Sequence, residues 1–250
     1  DSHGQAGRYG AGDVQWMTAG AGLQHSEMFP LLNMDSDNPA ELFQIWLNLP
    51  RAKKFADPHF KMLWSEDIPQ YREVADDGRS LVVKVIAGRY EQIQALDPAP
   101  DSWAADPLNE VGIWSAVADA GTQWIIPAAK GQVNRMLYFY EGSTIDLQGT
   151  NVEAGHAITL DASREIRLVN GNAVARMLLL QGKPILEPVV QYGPFVMNAQ
   201  AEISQAIDDF RRTSFGGWPW PSGSQVYPRD RGRFALHKDG REEIKKPNKY

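Results

Sequence analysis

Residues 41–50 read ELFQIWLNLP, with Phe43, Ile45, Leu47 and Leu49 at alternate positions and Gln44, Trp46 and Asn48 between them. Only an extended strand gives alternate residues a common face, so this spacing predicts a strand with one apolar side. The same kind of run recurs at 80–88, 112–118, 123–128, 135–142, 156–160, 165–171 and 175–182, separated by turn tetrapeptides such as DDGR, EGST and VNGN. Many short strands joined by tight turns have few ways to bury their apolar faces. They pack as antiparallel sandwiches or barrels, and the expected fold class is all-β. One helix interrupts the pattern. At 199–212 Ile203, Ala206, Ile207 and Phe210 recur at helical spacing, with Asn198 as its predicted N-cap and Glu202 in its first turn. The proline-rich stretch from Ala95 to Asn109 predicts a linker, dividing the chain into an N-terminal part (1–105) and a C-terminal part (106–250).

Composition removes several function classes. The 250 residues contain no cysteine, so thiolate metal sites, disulfides and cysteine nucleophiles are excluded. The net charge of −6 does not favour general nucleic-acid binding. No apolar stretch approaches the roughly 18 residues of a membrane helix, and a cytoplasmic protein is expected. From Arg229 to Tyr250 eight Lys/Arg stand against four Asp/Glu, a basic tail expected to lie as a solvated end or as a strap across the acidic remainder. Trp218 and Trp220, set among prolines in GGWPWP, are expected to anchor that tail.

A weak internal repeat relates GAGDVQWM (10–17) to VEAGHAITL (152–160), with Gly12 matched to Gly155. At this offset His25 falls on Leu168 and Glu27 on Asn170. The second copy has strands before its glycine, whereas the first has eleven residues, so the first half is expected to lack its opening strands.

His25 and Glu27 carry the strongest chemical signal. Two residues apart on a strand, their side chains share a face and can converge on one ion, with Ser26 turned away. Imidazole and carboxylate without thiolate suit iron, manganese, nickel, copper or zinc. Gln15 and Gln24 are candidates to hydrogen-bond such ligands from behind, and Phe29 is a candidate apolar wall. Trp16 and Met17 are expected in the core. His3 and His59 are expected in solvated loops. His156, like Asp13 at the matching place in the first copy, is expected to make a turn hydrogen bond.

The segment GAGDVQWMTAGAGLQHSEMF resembles the signature of the pirin family, and the resemblance continues in QIWLNLP (44–50), VVKVIAG (82–88) and EPVVQYGPFVMN (187–198). It implies two stacked cupin barrels of the jelly-roll type, the first incomplete at its start. It also implies an N-terminal metal site of three histidines and one glutamate, of which His25 and Glu27 are two ligands. The other two histidines belong to an H-x-H segment that occurs nowhere in this sequence. Its place in the second copy is taken by Ala128 and Lys130, so the C-terminal barrel is expected to lack ligands. The implied cofactor is a divalent transition metal, iron(II) first, then nickel, copper, manganese or zinc. The implied activity is quercetin 2,3-dioxygenase-like ring opening of an aromatic enol by O2, with Glu27 also taking the substrate proton. The alternative implied role is non-catalytic: a metal-dependent surface that contacts a protein partner, such as a transcription factor.

Overall fold

The computed structural model describes residues 1–245. Of the basic tail, residues 246–250 lie outside the described residues. The chain groups into two compact units, one formed by residues 1–62 with 186–250, the other by 63–185.

The second unit is a two-sheet antiparallel barrel. Its larger sheet runs, neighbour to neighbour, through His156–Thr159, Asn134–Glu141, Ala175–Gly182, Gly112–Ala118, Ser80–Ala87 and Gln70–Val74. The smaller runs through Thr150–Glu153, Thr144–Leu147, Ile166–Asn170 and Gln123–Ile126. Seven of the eight strand expectations are met. The alternation that predicted them decides what is buried: in Ser80–Ala87, Leu81, Val83, Val85 and Ala87 are inside and their neighbours half-exposed. Leu137, Phe139, Met177, Leu179 and Trp114 from the larger sheet meet Ile145, Leu168, Ile166 and Trp124 from the smaller in one core. Asn170 is buried, with its amide donating to the carbonyls of Ala118 (2.9 Å), Asp119 (3.0 Å) and Ala173 (2.8 Å).

The first unit is held differently. A three-stranded sheet joins Ala6–Arg8, Arg233–Leu236 and Glu242–Lys245, and Val14–Thr18 pairs with His59–Leu63. The C-terminal segment is thus a strap, as one of the two expectations had it. The strap is fastened by charge. Arg233 donates from Nε to Asp13 at 2.7 Å, and both side chains are almost wholly buried. Asp13 also accepts the Gly10 amide, the expected turn bond. Arg8 donates to the carbonyls of Tyr227 and Pro228, each at 2.6 Å. The Arg231 guanidinium lies over the rings of Tyr227 and Phe234. Trp220 donates to the carbonyl of Asp1 (2.8 Å), so one of the two tryptophans anchors the tail to the start of the chain; Trp218 bonds locally to Ser222.

The helix spans Gln200–Thr213, close to its expectation, but Asn198 is not its side-chain cap. Glu202 reaches back to the Asn198 amide (2.9 Å), while the Asn198 side chain donates to Glu187 and to the Pro188 carbonyl. The carboxylate reaches the free amide first, so the asparagine is left to tie the preceding loop.

The largest departure lies at 22–50, which contains neither helix nor strand. The alternation of 42–49 predicts a strand, yet Phe43, Ile45 and Trp46 stand exposed. Among the described residues no ladder pairs with this segment, and alternation without a partner edge does not make a strand. The repeat is nonetheless visible. Gly12 and Gly155 share the left-handed backbone (φ +88° and +87°), each just before a strand.

Leu137 is fully buried in the second unit's core. Leu137→Ala is expected to lower unfolding free energy by about 2–5 kcal/mol, and Asn170→Ala by about 1–3 kcal/mol through the lost bonds to the carbonyls of Ala118, Asp119 and Ala173. Urea unfolding followed by tryptophan fluorescence measures both.

Candidate metal and acid–base site

His25 and Glu27 come to the same side of their segment, with Nδ1 and Oε1 3.9 Å apart. Both side chains are about one-third exposed (38% and 32%). The expected common face is therefore kept without the expected strand. Ligand atoms about 2.1 Å from one ion can be separated by at most about 4.2 Å, so this pair can reach a shared cation after a small rotation. The donor types, one imidazole nitrogen and one carboxylate oxygen, fit a borderline divalent metal. They supply two donors. Among the described residues no group of three or more His, Asp or Glu side chains converges on one point.

Tyr9 is the site residue that sequence reasoning missed. Its hydroxyl lies near the Glu27 carboxylate, and its pKa is pushed up to about 12, first by burial, then by the charge of Glu27. Gln15 Oε1 is also near the hydroxyl, at 3.4 Å. The phenol has one proton to give. It goes to Gln15 Oε1, and Glu27 lies close enough to act on the phenol through its charge. Gln15 is thus linked to the pair through Tyr9. The only hint in the sequence was an aromatic residue just before the glycine turn, a placement shared by many loop tyrosines.

Other expectations divide. Gln24 turns away from the pair and donates to the carbonyls of Ser214 and Gly217, because its side chain fastens the turn after the helix. Phe29 is 64% exposed. It opens a run of exposed apolar side chains that includes Leu31, Met34, Phe43 and Trp46. Trp16 and Met17 are half-buried. His3 lies within 3.4 Å of the Gly22 carbonyl and is not a third ligand. His156 makes its turn bond to the Glu153 carbonyl at 2.9 Å. His237 pairs with Glu243 at 2.8 Å within the strap.

Comparison with known proteins adds independent findings. Residues 1–47 match the profile of the family described as Pirin, and residues 114–216 that of the Pirin C-terminal cupin domain. The chain is similar to Pirin of Mus musculus, 35% identical over 86% of this chain and 69% of the mouse protein. It is 34% identical to Pirin-1 of Arabidopsis thaliana over 86% of this chain and 70% of the plant protein. Among solved structures it resembles quercetin 2,3-dioxygenase from Acinetobacter baumannii, with a TM-score of 0.62 and 26% identity over 82% of this chain and 67% of the other. No helix among the described residues is long and apolar enough to cross a membrane.

The raised Tyr9 pKa has a definite sign. A phenol whose folded pKa lies above its ordinary value of 10 adds stability that is whole below pH 10 and is lost as pH rises through about 12. Ultraviolet titration of tyrosinate should therefore lose one component above pH 10 in Tyr9→Phe, and the variant's stability should fall less than the wild type's over that interval.

Proposed function

Because this chain belongs to the pirin family of cupins, we propose that it is a metal-dependent dioxygenase that opens an electron-rich aromatic enol, quercetin or a related flavonol, with O2. The observation that supports this reading is the His25–Glu27 pair, 3.9 Å apart and open to solvent on one side. In this reading both residues are ligands of a divalent transition metal, iron(II) foremost, within an N-terminal half (1–105), and the C-terminal half (106–250) carries no ligands. When bound, the ion supplies Lewis acidity toward the substrate hydroxyl and electrons toward O2.

The chain's own residues would divide the remaining work. His25 presents a neutral nitrogen lone pair. Glu27 accepts the substrate's hydroxyl proton at a carboxylate oxygen, a role suited to a base close to the reacting group. Tyr9 stands beside that carboxylate and keeps its own proton at neutral pH, since its pKa is pushed up to about 12. It therefore does not compete with the base for the proton. Gln15 limits the swing of the phenol.

Glu27→Gln keeps the shape but removes the base. In protein reconstituted with iron(II) under air, quercetin consumption by this variant is expected to fall about 10²- to 10⁴-fold, and His25→Ala should lower both turnover and bound iron. Wild-type rates in Glu27→Gln would remove that residue from the reaction.

A second reading rests on the exposed apolar run from Phe29 to Trp46, which immediately follows the pair. Exposed apolar surface of this kind marks protein contacts. In that reading the metal's presence alters a surface recognised by a protein partner. Recovery of a partner by metal-loaded but not chelator-treated protein, without quercetin turnover, would favour it.

A further inference from the structure

The two sheets of the second unit part along one side. Thr150–Glu153 ends the smaller sheet and His156–Thr159 ends the larger, and each is paired on one side only. Between them opens a cleft of about 230 Å³. Its apolar lining is Leu147, Val152, Ile158, Leu160 and Ile166. Leu160 and Ile166 are buried, and the other three pack against the barrel core. All five are aliphatic, so the wall offers contact to branched hydrocarbon and no ring to stack on.

Charge enters the same cleft from one turn. Asp161 and Arg164, between His156–Thr159 and Ile166–Asn170, also line it. Ser163 donates to Asp161 Oδ1 from its hydroxyl (2.6 Å) and its amide (3.0 Å). The hydroxyl bond first, then the amide bond, holds the Asp161 carboxyl below the usual carboxylate range, so it is an anion at neutral pH. Its other oxygen, Oδ2, accepts from Arg164 Nε at 3.2 Å. The terminal nitrogens of Arg164 have no partner among the described residues. Both side chains are exposed, and an ion pair so exposed adds little to stability. The cleft thus presents an anion and a cation side by side, next to an aliphatic wall. Small-molecule sites have this composition: mostly apolar, with a few polar groups that fix orientation.

We propose that this cleft binds a free aliphatic α-amino acid of about leucine size. Its carboxylate accepts from the terminal nitrogens of Arg164, its ammonium donates to Asp161 Oδ2, and its branched side chain lies on Val152, Ile158 and Leu160. The ligand carries both charges on one carbon, as the cleft carries both on one turn. A planar guanidinium suits a carboxylate, and the branched side chain adds the burial that a smaller amino acid lacks. The site shares no residue with the His25–Glu27 pair and does not depend on metal.

Isothermal titration of the whole protein with L-leucine tests this, against three partial counterparts at equal salt. L-Alanine lacks the branched chain, 4-methylpentanoate lacks the ammonium, and 3-methylbutylamine lacks the carboxylate. Leucine should bind saturably and at least about tenfold more tightly than each of them. Arg164→Gln should weaken leucine at least about tenfold and leave the amine unchanged. Because Asp161 also holds Ser163, Arg164→Gln carries the charge test, and Val152→Trp, which fills the cleft and keeps both charges, should abolish leucine binding. Non-saturable leucine heat, equal affinity for leucine and any counterpart, or full leucine binding by folded Arg164→Gln or Val152→Trp would each overturn the proposal.

Discussion

Extended backbone has to find an edge to pair with. In the second unit each inner strand is hydrogen-bonded on both sides, and the six- and four-stranded sheets close over a single apolar interior. In the first unit the stretch 22–50 has no such neighbour among the described residues. The same pattern of alternate apolar residues therefore has two outcomes. Where a ladder is present, it makes a buried row such as Leu81, Val83 and Val85. Where none is present, Phe43 and Trp46 face water. Pairing, not propensity, separates the two.

The candidate site inherits this difference. At the repeat offset, His25 and Glu27 correspond to Leu168 and Asn170, which sit in a strand flanked on both sides by others. There Leu168 is part of the core and Asn170 ties down three carbonyls. In the first copy the equivalent positions carry ligand-type groups and are partly solvated. One template thus yields a closed, buried pair of positions in one copy and a partly exposed imidazole and carboxylate in the other.

Much of this was legible in the chain. Period-two alternation located seven strands of the second unit, and helical spacing located Gln200–Thr213 to within a residue at each end. The two-residue spacing of His25 and Glu27 foretold that they would share a face. What could not be read was whatever depends on long-range partners. Tyr9 and Glu27 are eighteen positions apart and meet only through the fold. Gln24 was a plausible neighbour of the pair, yet it spends its amide on the turn near Ser214. Asn198 looked like a cap until Glu202 took the amide. In each case the partner was decided by geometry that spacing alone does not encode.

The buried contact of Arg233 with Asp13 joins the last strands of the protein to the turn that launches its second one. Shortening the polypeptide from its carboxyl end past residue 233 would remove both that counter-charge and the strand paired with Ala6–Arg8. The first place to loosen would be the strand carrying Gln15, and with it the phenol beside Glu27. The disturbance would then reach the His25–Glu27 pair although no residue near it had been removed.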